Sequence, residues 1–312
     1  MKRRSHSGPG GTVWANLSVV ALVAMAFALP ACEESRSTPA VEVSEASQVS
    51  SPRIATLLPF AADQLIALGA EPVAVPLIRG VVPASWDGIP TIALDHSAGP
   101  NIEQLIAADP DIVITGSTYA QFLPTVESAT GAEVVVMDVH AIDDVATHIT
   151  ALGELTGKSE RASELVVGVR EMLESPDPAG ERVRVLSVFG TPHAFYAFLP
   201  DSYLGDLVAH AGGAMITDDM ESHAIFQGLA PISMEVVLDR NPDHVLVVFH
   251  GSEESARAML KGDPLWSKLS AVEQDEVTFL QDDLFAMRPG SELPRAIDEI
   301  QTILTGARES LH

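Results

Sequence analysis

The sequence predicts an α/β protein built as two similar lobes joined by a helical connector. One observation is a repeat, because residues 101–116 have an echo in residues 233–248, and each copy places a short apolar helix before a β-branched apolar run. Such a run is typical of a strand buried on both faces of a sheet. A second observation is the long helical pattern over 141–175, which lies between the two copies. One copy in each half therefore indicates two related lobes.

Each copy of the repeat carries the signals of a short helix with a defined beginning and end. Asn101 and Ser233 stand at the predicted N-caps, where a side-chain oxygen can accept from an orphan helix N–H. Glu103 and Glu235 follow two residues later, where the positive end of the helix dipole favours a carboxylate. An Asp-Pro or Asn-Pro pair then stops each helix, because proline cannot continue it.

The composition indicates a globular and strongly acidic protein. A length of 312 residues is enough for two sizeable lobes with two hydrophobic cores. A content of 46% hydrophobic and 20% charged residues is typical of a globular protein. The formal net charge is −25, so nucleic acid and an anionic membrane surface would be repelled. No nucleic-acid partner is therefore predicted.

Residues 1–31 are predicted to be a signal peptide and not part of the fold. Three cations at 2–4 precede an apolar run over 13–31, which is the pattern of a secretory signal. Cys32, the single cysteine, follows Leu-Pro-Ala, which resembles a bacterial lipobox with an unusual proline. The resemblance implies that Cys32 becomes the lipid-bearing N-terminus. An ordinary cleaved signal and an uncleaved anchor helix are the alternatives.

The first lobe is predicted over 53–140, after a tether. Residues 32–52 are rich in Ser, Glu and Pro and lack periodicity, which favours a flexible tether between lipid and domain. A Leu-Pro pair leads into a predicted helix that Gly69 ends. Apolar runs predict further strands, beside the strand of the repeat, at 53–58, 71–76, 91–94 and 133–138.

The connector and the second lobe follow. The interlobe helix is predicted over 141–175, with a break at Gly157, and the second lobe over 176–312. A second Leu-Pro pair leads into a helix that ends at Gly212-Gly213, as in the first lobe. The plan of the second lobe is completed by strands at 183–189 and 277–280, a return segment at 194–199 and a terminal helix.

These motifs together resemble the periplasmic binding proteins for cobalamin, haem and ferric siderophores. The resemblance rests on the start at 53–59, the paired Glu/Pro-Asp units, Gly212-Gly213 and the final segment 288–290, in this order over 53–306. It implies the class III periplasmic-binding-protein fold, in which two Rossmann-like lobes are joined by a long backbone helix. It also implies limited hinge motion and a ligand in the cleft between the lobes.

The function implied by the resemblance is that of the substrate-binding component of an ABC importer. Such a component is a lipid-anchored, extracytoplasmic monomer, and it is no enzyme. It has no resident cofactor, although its ligand, a metal chelate or tetrapyrrole, can itself carry Fe or Co. In the family one exposed glutamate per lobe docks onto the permease, and the matching positions are Glu103 and Glu235. The alternative is that both carboxylates only favour their helix dipoles, worth tenths of a kcal/mol to ~1 kcal/mol.

Other classes of function have weaker support in the sequence. The motifs HExxH, paired CxxC and GxSxG are absent, so a hydrolase is not favoured. A receptor for a bare metal ion would need three or four converging ligands, which the scattered histidines do not supply. A lipid-anchored sensor or interaction module that uses the same fold without transport stays an alternative.

The candidate ligand contacts lie in loops that follow the predicted strands. Ligands of open α/β sheets bind outside the carboxyl ends of the strands, and aromatic faces suit a broad flat ligand. Phe189 and Trp266 are expected in the core, and Phe60 fits core and cleft equally. The predicted cleft contacts are Phe60, Trp86, Tyr119, His193, Phe226, His250 and Arg288.

The polar members of this set bear on the chemistry of the ligand. His193 and His250 could be axial ligands to a metal centre, although a solitary histidine is more often structural. Arg288 could bind a ligand carboxylate, or pair with the aspartates at 282–283. Arg79 and Arg288 are the obvious cations near the cleft, too few for a highly anionic tri-catecholate chelate. This favours cobalamin, a hydroxamate chelate or haem.

Overall fold

The computed structural model describes residues 51–311 except 78–79, 81, 96, 175–180, 192–193 and 224–225. The predicted signal peptide, Cys32 and nearly all of the tether lie outside the described residues. Residues 49–312 pack as one unit. Within it we call residues 51–140 the first half, 141–174 the connector and 181–311 the second half.

The first half contains the sheet of the first repeat and a smaller neighbouring sheet. The strands are β1 (Ile54–Thr56), β2 (Val75–Leu77), β3 (Thr91–Asp95), β4 (Gly99–Pro100), β5 (Ile112–Thr115) and β6 (Glu133–Val136). The order β1-β5-β6 is parallel, with β5 central and buried as its apolar run predicts. Strands β2 and β3 are parallel, β3 and β4 are antiparallel, and a bridge from Ala55 to Ala74 links the two sheets.

The helices of the first half and the connector agree with the predicted order. They are α1 (Pro59–Ala67), α2 (Ile102–Ala108), α3 (Leu123–Thr130), α4 (Ile142–Thr156) and α5 (Ser159–Leu173), with 3-10 turns at Ala84–Trp86 and Ser117–Phe122. The predicted interlobe helix is thus divided in two, because Gly157 adopts a left-handed backbone with φ 67°. The two helices approach closely, since a Cβ added at Gly153 would lie 2.3 Å from Cβ of Ala162.

The second half is built on one larger sheet. Its strands are β7 (Val183–Gly190), β8 (Phe195–Phe198), β9 (Gly213–Met215), β10 (Leu229–Pro231), β11 (His244–Phe249) and β12 (Val277–Leu280). Their order is β10-β8-β7-β11-β12, with β9 beside β7. Strand β8 is antiparallel to both of its neighbours, β7 and β10, and the pairs β7–β9, β7–β11 and β11–β12 are parallel. Strand β11, from the second repeat, is buried along its whole length.

The helices of the second half cover this sheet. They are α6 (Tyr203–His210), α7 (Met234–Arg240), α8 (Glu253–Gly262), α9 (Ser270–Glu273) and α10 (Leu293–Ser310), with a 3-10 turn at Trp266–Lys268 and a π-helical turn at Asp283–Met287. None of the described helices combines the length and the apolar character that crossing a membrane requires.

The duplicated units occupy equivalent places in two different sheets. In the first half the backbone N–H of Arg53 donates to Asp111 at 2.7 Å, and the guanidinium donates to carbonyls at the end of α2. In the second half the N–H of Arg184 donates to Asp243 at 2.8 Å, and its guanidinium donates to carbonyls at the end of α7. Both helices end in a left-handed residue, Asp109 or Asn241, so the repeat seen in sequence is also a repeat in space.

The apolar core is not divided cleanly between the halves. One cluster lies inside the first half around β5, and another lies inside the second half around β11 and includes Trp266, as predicted. A third cluster crosses both halves and joins side chains of α1, α4, α5, α6 and α10. A small local cluster of the first half surrounds Trp86. The prediction of two separate cores is therefore corrected to three local clusters and one shared cluster, which couples the halves mechanically.

Candidate ligand-binding site

Two contacts join segments of the second half to the first half and the connector. Arg288 lies beyond the end of β12 and contacts Asp63 of α1, which follows β1. The first residue of α4, Ile142, follows β6 and contacts Asp206 of α6. The contact between Arg288 and Asp63 therefore brings together segments that follow the carboxyl ends of β12 and β1, and this is the region where ligands of open α/β sheets bind.

A histidine and a carboxylate stand together at the carboxyl edge of the second sheet. His250 comes directly after β11, and its Nδ1 lies 2.9 Å from Oδ2 of Asp282, which follows β12. This is an ion-pair distance, although the approach is off the line of a hydrogen bond. A carboxylate so close to Nδ1 favours the proton there and leaves the lone pair on Nε2 for another partner. About 31% of the His250 side chain is exposed.

Aromatic rings continue from His250 along the same edge. The ring of Phe189, at the end of β7, lies 5.8 Å from the imidazole. Phe189 pairs directly with Tyr196 of the antiparallel strand β8, so their side chains share one face of the sheet. Tyr196 in turn lies 5.9 Å from His223 and 6.4 Å from Phe226. We call this group of five residues the aromatic row: His250, Phe189, Tyr196, His223 and Phe226.

The two ends of the aromatic row differ in their imidazole chemistry. His223 stacks on Phe226 with centroids 5.2 Å apart, and its Nδ1 accepts from the Phe226 N–H at 3.3 Å. An accepting Nδ1 places the proton of a neutral imidazole on Nε2, which suits stacking and not coordination. His250 has the opposite arrangement. Its free Nε2 lone pair makes it the better axial ligand of the two.

Sequence reasoning found some members of the aromatic row and missed others. His250 and Phe226 were predicted, and both are at least partly exposed. Phe189 was expected in the core, but it is only partly buried, because it sits at the end of β7. Tyr196 and His223 were missed. The return direction of β8 was the available signal, because it brings the start of that strand back to the carboxyl edge.

Three predicted aromatic contacts are corrected by the structure. Phe60, Trp86 and Tyr119 are buried, with 3%, 2% and 7% of their surface exposed. Phe60 lies in the first turn of α1 and stacks on His148 of α4 with centroids 5.4 Å apart. Burial, and then the charge of Asp95, raise the pKa of Tyr119. These rings pack against protein groups and present no face to a ligand.

Arg288 is also corrected as a ligand contact. Its Nη2 and Nε donate to Oδ2 of Asp63 at 2.7 and 3.1 Å, and its Nη1 donates to Asp283 at 3.0 Å. Burial opposes the charge of Arg288, but the two carboxylates outweigh burial and raise the pKa. The alternative prediction, a pair with a neighbouring aspartate, is confirmed for Asp283. The remaining predicted site residues, His193 and Cys32, and the cation Arg79 lie outside the described residues.

The two glutamates of the repeat are exposed in equivalent first turns, Glu103 in α2 and Glu235 in α7. The predicted capping differs between the two helices. Asn101 accepts from the Gln104 N–H at 3.0 Å, whereas the side chain of Ser233 makes no capping hydrogen bond, which corrects the prediction for the second copy.

Among the described residues, no group of three or more His, Cys, Asp or Glu side chains is arranged to hold a metal ion. A groove of about 710 Å³ lies along α10, beside Met172 and Thr278. Thr278 is at the amino-terminal half of β12, so this groove is not at the carboxyl edge that holds the aromatic row.

Comparisons with known proteins agree on one family and one fold. A family model described as periplasmic binding protein matches residues 54–284. The high-affinity heme uptake system protein IsdE of Staphylococcus aureus is 23% identical over 227 residues, which cover 70% of this chain and 75% of the relative. The crystal structure of S. aureus IsdE complexed with heme has a TM-score of 0.71 at 21% identity, over 81% of this chain and 98% of that one.

Two further solved structures show the same fold. A substrate-binding protein of an ABC transporter from Listeria monocytogenes EGD-e has a TM-score of 0.70 at 22% identity, covering 82% of this chain and 99% of that one. The vitamin B12 binding protein BtuF of Vibrio cholerae has a TM-score of 0.66 at 21% identity, covering 82% and 98%. At such identities the likeness establishes the α/β fold with two lobes and leaves the ligand open.

Proposed function

This chain belongs to the periplasmic binding protein family, and from that premise we propose that it is the extracytoplasmic substrate-binding component of an ABC importer for haem. The matched family and the solved neighbours are binding proteins and not enzymes. Relatives of similar fold include proteins whose names specify heme and one whose name specifies vitamin B12. The choice between these ligands comes from the chemistry of the aromatic row.

The observation that carries the proposal is the pair formed by His250 and Asp282 next to Phe189. Haem iron has open axial positions that accept an imidazole nitrogen, and the nearby carboxylate leaves Nε2 of His250 available for this bond. The rings of Phe189 and Tyr196 supply apolar faces for the flat porphyrin. Cobalamin brings its own axial ligands, so a coordinating histidine favours haem.

The charges near the site support the same choice. In the described part of the chain, the predicted cleft cation Arg288 already pairs with Asp63 and Asp283, which offset its charge. A chelate with several negative charges would need more cations than this. Haem carries two propionates, which can remain in contact with water at the mouth of a cleft, and its porphyrin face needs no cation.

Titration tests the proposal directly. Purified protein is titrated with haem, cobalamin and a ferric hydroxamate chelate, and binding is followed by tryptophan fluorescence and visible absorption. We expect submicromolar affinity for haem and a Soret band that shifts on binding. His250→Ala should weaken haem binding about tenfold or more, which corresponds to ~1.4 kcal/mol.

The control for this titration is His210→Ala, because His210 lies in the last turn of α6 and not in the aromatic row. It should leave both affinity and spectrum unchanged. Tighter binding of cobalamin or the ferric chelate than of haem, or equal haem spectra for His250→Ala and the parent protein, would refute haem as the ligand.

Delivery to the permease and attachment to a membrane are further parts of the proposal. Glu103 and Glu235 are exposed at equivalent corners of the two halves, so they offer two spaced carboxylates to cationic partners on a permease. Lipidation of Cys32 is supported by the apolar run and the Leu-Pro-Ala that precede it. Cys32→Ser should therefore move the protein from the membrane fraction to the soluble fraction, and continued attachment would argue against the lipid.

A further inference from the structure

The first helix after the opening strand is duplicated, like the repeat. Helix α1 begins at the proline of a Leu-Pro pair, and α6 begins three residues after the proline of a second pair. Each is followed by a glycine with a left-handed backbone, Gly69 with φ 72° and Gly212 with φ 79°. Asp63 and Asp206 stand at the same distance before these two glycines. They therefore occupy equivalent positions of the duplicated plan.

Asp63 reaches from the first half to the second. Its Oδ2 accepts from Nη2 of Arg288 at 2.7 Å and from Nε at 3.1 Å. Its Oδ1 accepts from Nε1 of Trp86 at 2.9 Å. Asp63 and Arg288 are each about 15% exposed, so solvent screens this pair less than an exposed one. The carboxylate holds both a loop of its own half and the segment after β12.

Asp206 reaches in the opposite direction. Its Oδ2 accepts at 2.8 Å from the N–H of Ile142, the first residue of α4. This N–H is one of the orphan donors at a helix start, where the helix dipole also favours a negative charge. Close packing reinforces the contact nearby, because a Cβ added at Gly290 would lie only 2.7 Å from Val145 of α4. Each half thus offers one equivalent aspartate to an element outside it.

We propose that Asp63 and Asp206 are positioning residues that fix the two halves relative to each other and thereby set the width of the ligand cleft. Both make charge-assisted hydrogen bonds, which are shorter and stronger than neutral ones. Loss of either carboxylate frees a partner in another part of the molecule, Arg288 or the start of α4. The expected effect on ligand binding rests on the proposed function. The role of the two aspartates in fixing the halves relative to each other, which we call the fastening, does not rest on it.

The distance between the halves measures this role without any ligand. The full chain in a Cys32→Ser background receives spin labels at Glu127→Cys in α3 and Glu254→Cys in α8, both exposed, and the distance is measured by pulsed electron spin resonance. We expect one narrow distribution in the parent. Asp63→Asn and Asp206→Ala should each shift or broaden it by more than about 2 Å, the scale of a domain rearrangement.

A matched control separates positioning from stability. Asp219 pairs with Arg240 at 2.6 Å, and both residues belong to the second half. Asp219→Asn should therefore leave the distance distribution unchanged. If Asp63→Asn does not fold, Arg288→Lys replaces it, because lysine keeps the charge but cannot reproduce the paired donors; it should broaden the distribution less.

An unchanged distribution in the Asp206→Ala variant and in the folded variant of the Asp63–Arg288 pair would overturn the proposal, even if the melting temperature fell. A broadened distribution with unaltered haem affinity would support the fastening and refute its effect on the cleft. A broadened distribution in a protein that binds no haem at all would support the fastening and count against the proposed ligand.

Discussion

The two halves of this protein share one framework and differ at their carboxyl edges. In both, an arginine and an aspartate tie the opening strand to the repeat, through Arg53 and Asp111 or Arg184 and Asp243. At the carboxyl edge, the candidate aromatic residues of the first half are buried, whereas the aromatic row of the second half is partly exposed. Duplication thus accounts for the scaffold, and the ligand chemistry that we propose belongs to features that the halves do not share.

The largest expected effect tests a feature that both halves do share. Glu103→Ala combined with Glu235→Ala should abolish uptake of the ligand by cells that carry the importer, because the carboxylate proposed to dock onto the permease is then lost from each half. The affinity of the purified double variant for the ligand should be unchanged.

The matched control for docking uses two exposed glutamates outside the repeat, Glu127 and Glu254. The double variant Glu127→Ala, Glu254→Ala carries the same change of charge and should transport normally. Equal loss of uptake in both double variants would indicate a general charge effect, and reduced ligand affinity in the first would rule out a role confined to docking.

A smaller effect tests the difference in capping between the two repeats. Asn101 accepts a hydrogen bond at the start of α2, but Ser233 makes none at the start of α7. Asn101→Ala should lower the free energy of unfolding by about 1 kcal/mol, and Ser233→Ala by much less. Urea denaturation measures both. Equal losses would show that the two helices begin alike after all.

Acidification should give the smallest effect, a loss of stability caused by buried histidines in different parts of the chain. Burial lowers the pKa of His244 in β11, although Glu276 opposes it, and burial likewise lowers the pKa of His148 in α4. The unfolded chain then binds protons at a higher pH than the folded one. The contribution of these two histidines to the free energy of unfolding is therefore fully present above about pH 6.5, the ordinary imidazole pKa. This contribution is lost as the pH falls below that value.

Substitution of His244 shows how much of this pH-dependent loss of stability is caused by His244. His244→Gln should reduce the fall in unfolding free energy between pH 7 and pH 5, as measured by urea denaturation at several pH values. His210→Gln, at the end of α6, serves as the reference for replacing a histidine. The same pH dependence in the parent and in His244→Gln would contradict the assignment.

The framework could be predicted from sequence because its signals are local. The β-branched runs predicted β5 and β11, and the Asp-Pro and Asn-Pro pairs predicted where α2 and α7 end, which the left-handed Asp109 and Asn241 confirm. Helix breaks and buried strands depend on residues close in sequence, so one chain suffices to find them.

The site could be predicted only in part, because its contacts are distant in sequence. Trp86 donates a hydrogen bond to Asp63, and Phe60 stacks on His148 in another helix. Tyr196 joins the aromatic row only because β8 pairs with the end of β7. Such pairings leave no local pattern, which is why the sequence did not reveal that the candidate aromatic residues of the first half are buried. The role of Phe226 as a ligand contact stays a prediction.

The most direct test of the account is the visible spectrum of the haem-loaded protein with His250→Gly, before and after addition of imidazole. Removal of the side chain opens space for free imidazole beside Asp282 and Phe189. We predict that the variant loses the parent's Soret band and that imidazole restores it. A spectrum that is the same as the parent's without imidazole, or that imidazole does not restore, would contradict coordination of the ligand by the second half.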